Sequence, residues 1–287
     1  MKGGVSQRGM NLKLVRKRNL SMFRKIALGT WRDAYDPSVY GTIELKMDRA
    51  LAYLAAFRAK TGKRATVTHL VAKAAAQALR ETPEANALLR WNRVYLRQDV
   101  GVFFQVAIAD DGHSGIDLSG LVIHAVDQKN LTDICQEFET AVHLVRTRTD
   151  ETLERTRRTM NRMPGFFMHW ALRISAFVAY TLNWNPRLLG VPRDAFGSVM
   201  ITNVGSLGLD VAYPPLVAYS RVPILLATGV VKDAPVVVDG ALGVAKVMNV
   251  SVTFDHRFID GVHAANMAKT LREWIENPFE HFDRLEE

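Results

Sequence analysis

Apolar and polar residues alternate along VYGTIELKMD (39–48), the period of a strand with one buried face. In RALAYLAAFRAKTG (49–62) the apolar positions shift to helical spacing and stop at Gly62, a helix terminator. TVTHLVAKAAAQALRETPEAN (66–86) reads as a second, Ala-rich helix that begins at a Thr and has Pro83 just beyond its end. DVGVFFQVAIA (99–109) and GLVIHAVD (120–127) are continuous apolar runs bounded by Gly and Asp, which predicts buried strands. A helix with a mixed-charge face is expected over 131–160. Further strands are expected at 197–205, 223–231, 235–244 with a turn at Asp239-Gly240, and 246–256, before a closing helix in GVHAANMAKTLREWIENP. Strand and helix alternate, so the expected class is α/β.

Two segments break this pattern. Residues 1–20 read as an irregular basic arm, and periodicity begins at Leu20, with Phe23, Ile26, Ala27 and Trp31 on one helical face; residues 21–287 are then the folded domain. Residues 163–192 are apolar and rich in aromatics, long enough to raise the question of a membrane span. His169 and Arg173 interrupt that run, and an Arg near a bilayer centre costs about 3 kcal/mol, which disfavours a span and leaves either packing within the protein or a peripheral, interfacial helix.

Composition changes the picture in two ways. The net charge is +8, but the first 25 residues carry eight basic side chains and no acid, and the other 29 Lys and Arg match the 29 Asp and Glu. The excess therefore belongs to the arm, suited to a solvated tail or to contact with anionic lipid or nucleic acid, and no nucleic acid is an expected partner of the folded domain. Cys135 is the sole cysteine, which excludes an intrachain disulfide and any multi-cysteine metal site; no metal is expected. With no signal-like apolar core at the N-terminus, the expected location is cytoplasmic.

The chemistry concentrates in VSVTFDHRFIDG (250–261), where a strand delivers His256 to a tight connection holding Asp260 and Gly261. A histidine at a strand end can have one ring nitrogen fixed by a backbone group while the other faces a ligand. Asp260 and Gly261 taken alone are equally a helix-capping turn. The other histidines (His69, His113, His124, His143, His169, His263 and His281) read as ordinary core or surface residues.

TFDHRFIDG resembles the Asp-His-Arg-x-x-Asp-Gly signature of the acyltransferase subunits of 2-oxo acid dehydrogenase complexes, which share their fold with chloramphenicol acetyltransferase. SMFRKIAL, THLVAKAAAQALRETPEANA, DVGVFFQVAIADDG, GLVIHAVDQKNLTDI and MITNVGSLGLD resemble further family segments in the same order, over about residues 20–278. The resemblance implies a two-layer α/β sandwich with a mixed sheet, trimeric, with active sites between subunits. It implies acyl transfer between coenzyme A and a thiol such as dihydrolipoamide, or another small acceptor bearing a hydroxyl or amine, with His256 as general base and Thr202 as the hydroxyl donor to the oxyanion. It further implies that Asp260 pairs with Arg24 of the opening helix and orders the site; Gly261 and Asn203 lie in the matched segments as supporting residues. Residues 163–192 read as an insertion relative to the family, and the lipoyl group is expected on a separate carrier protein. Two rival expectations stand beside this one: a non-catalytic scaffold subunit of such a complex, and a membrane-associated acyltransferase that uses 163–192 and the basic arm.

Overall fold

The computed structural model of the chain describes residues 11–18, 36–109, 116–147, 165–185, 193–238 and 240–285. A seven-stranded mixed sheet runs in the order β2 (Ser38–Lys46), β10 (Ala241–Asp255), β8 (Ile224–Thr228), β7 (Val199–Asn203), β5 (Val102–Ala109), β6 (Ile116–Ile123), with β9 (Lys232–Val238) paired to the first half of β10. The β5–β7 and β7–β8 pairs are parallel and the others antiparallel. One sheet face packs on helices α1 (Asp48–Thr61), α2 (Val67–Glu81), α3 (Leu131–Arg146) and α5 (Gly261–Glu276). Strand periodicity sorts the side chains: Phe104, Ile201, Leu226 and Val250 enter that helical core, whereas Met200 and Leu225 belong to a separate cluster on the opposite face. The architecture is the expected two-layer α/β sandwich.

Local expectations hold where the pattern was strong. Gly62 closes α1 in the left-handed conformation, and Pro83 follows the end of α2. The two strands expected over 235–256 beyond the Asp239-Gly240 turn are instead one strand, Ala241–Asp255, because the alternation continues through Lys246 with no breaker. Of the apolar run at 120–127, residues 120–123 are the second half of a strand that starts at Ile116, and Val126–Gln128 form a 3-10 turn after it. The expected helix over 131–160 is described as far as Arg146; residues 148–164, like the expected opening helix at 19–35, lie outside the described residues.

The expectation of an irregular arm fails over residues 11–18. Leu14–Arg16 form β1, which pairs antiparallel with β4 (Arg93–Arg97), itself hairpinned to β3 (Ala87–Arg90). This three-stranded sheet was not evident from the sequence because its two-residue turn is Trp91-Asn92, both at positive φ, where Asn-Gly is the usual signal. Against it lies the apolar segment, as helix α4 (Gly165–Ala176) continuing into a π-helical turn, Phe177–Thr181. Ala176, Ala179 and Tyr180 bury against Leu12 and Leu88. Asn11 Nδ2 donates to the Ala179 carbonyl at 3.1 Å, and Asn183 bonds both backbone groups of Leu12. Basic residues 11–18 are thus stapled down by an apolar strand face and two buried asparagines. Among the described residues, no helix is long and apolar enough to cross a membrane.

His69 is part of this frame. It stands at the third position of α2 and forms a reciprocal capping box with Thr66, accepting the Thr66 N–H at Nδ1. The proton must then sit on Nε2, which is buried without a partner, with the ring edge-to-face on Phe138. Burial pushes the imidazole down to about 4 from its ordinary 6.5. The native state therefore binds fewer protons than the unfolded chain between those values. The stability this group contributes is present above pH 6.5 and lost as pH falls toward 4, on the order of 3 kcal/mol in all. His69→Gln keeps a capping acceptor and removes the titration, so its melting temperature should fall less than the wild type's between pH 7 and pH 4; parallel curves would refute the assignment.

Candidate active site

His256 stands at the end of β10, where the chain turns into α5. Its N–H donates to the Pro37 carbonyl at 3.0 Å, and the preceding Asp255 N–H to Pro223 at 2.9 Å, so both neighbours of β10 hold the strand end. The turn is built by Asp255, which is 4% exposed and accepts from the Arg257 backbone N–H and from Arg257 Nε and Nη2. Phe258 and Ile259 then anchor it in the helical core. The Asp255–Arg257 fork was missed at the sequence level. Both residues stand in the matched Asp-His-Arg motif, but spacing alone does not reveal a two-residue clamp.

The clamp presents the Ile259 carbonyl to the imidazole: His256 Nδ1 is 2.7 Å from that oxygen. A carbonyl only accepts, so Nδ1 carries the proton and, in the neutral ring, Nε2 carries the lone pair. Ring orientation and tautomer are fixed by one backbone bond.

Asp260 is the N-cap of α5. Its carboxylate accepts from the Val262 and His263 backbone N–H groups at 3.0 and 3.1 Å, and lies 2.6 Å from His263 Nδ1. Gly261 opens the helix, with no described atom within 4 Å of where a Cβ would stand. Arg24, the arginine matched to Asp260, lies outside the described residues.

Thr202 and Asn203 end β7. Thr202 is partly buried on the sheet face opposite the helices. Asn203 donates to Thr68 Oγ1 at 3.3 Å and accepts from Ser206 N, which caps the turn that follows. That turn is tight: a Cβ on Gly205 would come within 2.4 Å of the Gly229 carbonyl, and one on Gly229 within 2.1 Å of Asp210.

The register settles how these groups relate within one chain. Thr202 is level with Ala227 on β8, and Ala227 with Ser251 on β10. His256 lies five residues beyond Ser251 and two strands away. At about 3.4 Å per residue and about 4.8 Å per strand, the two side chains are anchored roughly 20 Å apart, at opposite ends of the sheet. The fold brings together His256, Asp255, Arg257 and Asp260 at one end, and Thr202 with Asn203 at the other.

Arg221, just before β8, is largely buried, and its guanidinium is held below the ordinary value first by burial and then by the nearby Arg257, with Arg173 of α4 also contributing. Arg221, Arg257 and Arg173 of α4 therefore come near one another at the His256 end of the sheet, with Asp255 beside them, which nothing in the sequence indicated. A cavity of about 470 Å³ among Asn11, Lys13, Arg97, Asp99, His124 and Asp194 contains none of the expected site residues. Among the described residues no cluster of His, Cys, Asp or Glu is arranged to hold a metal ion.

Comparison with known proteins places this geometry. The family model of the 2-oxoacid dehydrogenases acyltransferase (catalytic domain) matches residues 16–160 and 194–282, leaving the apolar segment unmatched. The dihydrolipoyllysine-residue acetyltransferase component of the mitochondrial pyruvate dehydrogenase complex of Dictyostelium discoideum is 24% identical over 246 residues, covering 84% of this chain and 31% of that protein. The chain thus spans less than half the length of the curated relatives it matches. A probable dihydrolipoamide acetyltransferase from Listeria monocytogenes superposes with a TM-score of 0.63 at 16% identity, covering 95% of this chain and 99% of that one. Chloramphenicol acetyltransferase superposes with a TM-score of 0.51 at 16% identity, covering 92% and 100%, so the fold is shared well below the level of recognisable sequence. With both the Asp-His-Arg strand end and the Thr202 strand inside the matched residues, the chain belongs to the acyltransferase catalytic-domain family of the 2-oxoacid dehydrogenases.

Proposed function

We propose that the chain is a coenzyme A-dependent acyltransferase that moves an acyl group between acyl-CoA and a thiol of the dihydrolipoamide kind carried on a separate protein, working as a homotrimer in the cytoplasm. The observation that carries this reading is the 2.7 Å bond from His256 Nδ1 to Ile259, which leaves Nε2 as the basic nitrogen. A thiol with a pKa near ~8.5 is mostly protonated at neutral pH, so it needs a base within hydrogen-bond reach. Nε2 takes the thiol proton as sulfur attacks the thioester carbonyl. Charge then develops on the carbonyl oxygen, and the Thr202 hydroxyl donates to it. When the tetrahedral intermediate collapses, the C–S bond to the coenzyme breaks and its thiolate recovers the proton from the imidazolium. Asp260 caps α5 and holds the turn in place without taking the proton.

Because one chain separates His256 from Thr202 by roughly 20 Å, a complete site needs the two residues from different copies. The β9–β10 hairpin supports assembly. It projects from the sheet with Leu242 81% and Val244 75% exposed, an apolar strand edge that a soluble monomer would not leave uncovered.

Two outcomes are expected. His256→Ala should keep the wild-type melting temperature and lose about 10²- to 10⁴-fold in turnover, measured as free thiol released from a panel of acyl-CoAs with and without dihydrolipoamide; retained turnover would remove the base from the mechanism. In light scattering the wild type should have the mass of about three chains, and the double variant Leu242→Ser/Val244→Ser should fall to one with an unchanged circular dichroism spectrum. A variant that stays at the wild-type mass would mean the hairpin lies outside the interface.

A further inference from the structure

The segment that the family model leaves unmatched turns a distinctive face outward. Trp170 is 60% exposed, and Ile174 and Phe177 follow it at four- and three-residue spacing, so the three lie along one side of α4 and its π-helical extension. Trp91, 61% exposed at the tip of the β3–β4 hairpin, extends this side, its ring 5.7 Å from that of Phe177 in a T-shaped contact. A tryptophan at φ 51 is a costly choice for a turn that Asn or Gly would make without strain. The strain holds a large aromatic ring out in solvent.

Arginines flank this face. Residues 163–192 contain no Asp or Glu, and Arg173 lies over the Trp170 ring at 5.8 Å. Arg93 is exposed beside Trp91. The small sheet beneath is paired with β1, whose own segment, 11–18, is bound to the apolar element and has Lys13 and Lys17 paired with Asp99 and Glu84. Exposed Trp with Phe and Ile, flanked by Arg and free of acids, is the composition of a surface that sits at a lipid headgroup boundary, where aromatic rings enter the interface and cations meet anionic lipid.

We propose that this face docks the protein on an anionic membrane surface, with Trp91, Trp170, Ile174 and Phe177 entering the headgroup layer and Arg93 and Arg173 meeting lipid phosphates and carboxylates. Acyl transfer is not needed for docking, so the idea stands or falls separately from the catalytic reading.

The test is co-sedimentation of the full chain with vesicles of phosphatidylcholine alone and of phosphatidylcholine with phosphatidylserine. Binding should be at least about tenfold tighter to the anionic vesicles and should fall steeply with salt. Trp170→Ser/Ile174→Ser should weaken it about tenfold, because both side chains are already in solvent and their loss removes only the inserted apolar area. Trp91→Gly, which relaxes the left-handed turn and so protects the fold, should weaken it in the same direction. No binding to anionic vesicles, or binding that these variants leave unchanged, would overturn the proposal. A change in particle mass on Trp170→Ser/Ile174→Ser without a change in vesicle binding would also overturn it, by giving the face to a second copy of the chain.

Discussion

The hydrogen-bond register of β10, β8 and β7 is the constraint on which the rest depends. A ladder fixes side chains in steps of about 3.4 Å along a strand and about 4.8 Å across, and neither distance can be adjusted without moving every pair. Through Ser251, Ala227 and Thr202, that ladder ties His256 and Thr202 to opposite ends of one rigid sheet. Neither side chain is long enough to close the gap. A reaction that uses both must therefore be assembled from more than one copy, and the apolar β9–β10 hairpin is a part of the surface available for doing so.

At the His256 end, rigidity comes from a chain of local bonds. Asp255 and Arg257 clamp the turn, Phe258 and Ile259 seat it in the core, and the Ile259 carbonyl then orients the ring. Asp260 begins α5 by capping it, so the helix that covers the sheet starts where the turn that holds His256 ends. The placement of His256 and the formation of the helix are coupled at this point, and changes at Asp260 or Asp255 act on both together.

Much of this was legible in the sequence. Period-two alternation located β2 and most of β10, Gly62 and Pro83 marked helix ends, and the Asp-His-Arg-x-x-Asp-Gly run pointed to the strand-end histidine. What was not legible has identifiable causes. The β3–β4 hairpin was hidden because Trp91-Asn92 does the work of a turn usually made by Asn-Gly. The structure of residues 11–18 was hidden because Asn11, Leu12 and Leu14 gain their partners from the β3–β4 hairpin and from residues around Ala179–Asn183, which no local window contains. The role of Ile259 in fixing the tautomer was invisible because a backbone carbonyl leaves no mark on composition. The separation of His256 from Thr202 could be computed only once the strand order was known.

The central claim, that each active site is completed by two copies of the chain, is tested most directly by mixing two inactive variants. His256→Ala lacks the base and Thr202→Val the oxyanion donor, and each should be nearly inactive alone. When the two are dissociated and reassembled together, some interfaces pair an intact His256 with an intact Thr202 from the neighbouring chain. Activity should then return to about a quarter of the wild-type rate if chains mix at random. A mixture confirmed to contain both chains in one particle, yet no more active than its parents, would contradict the account.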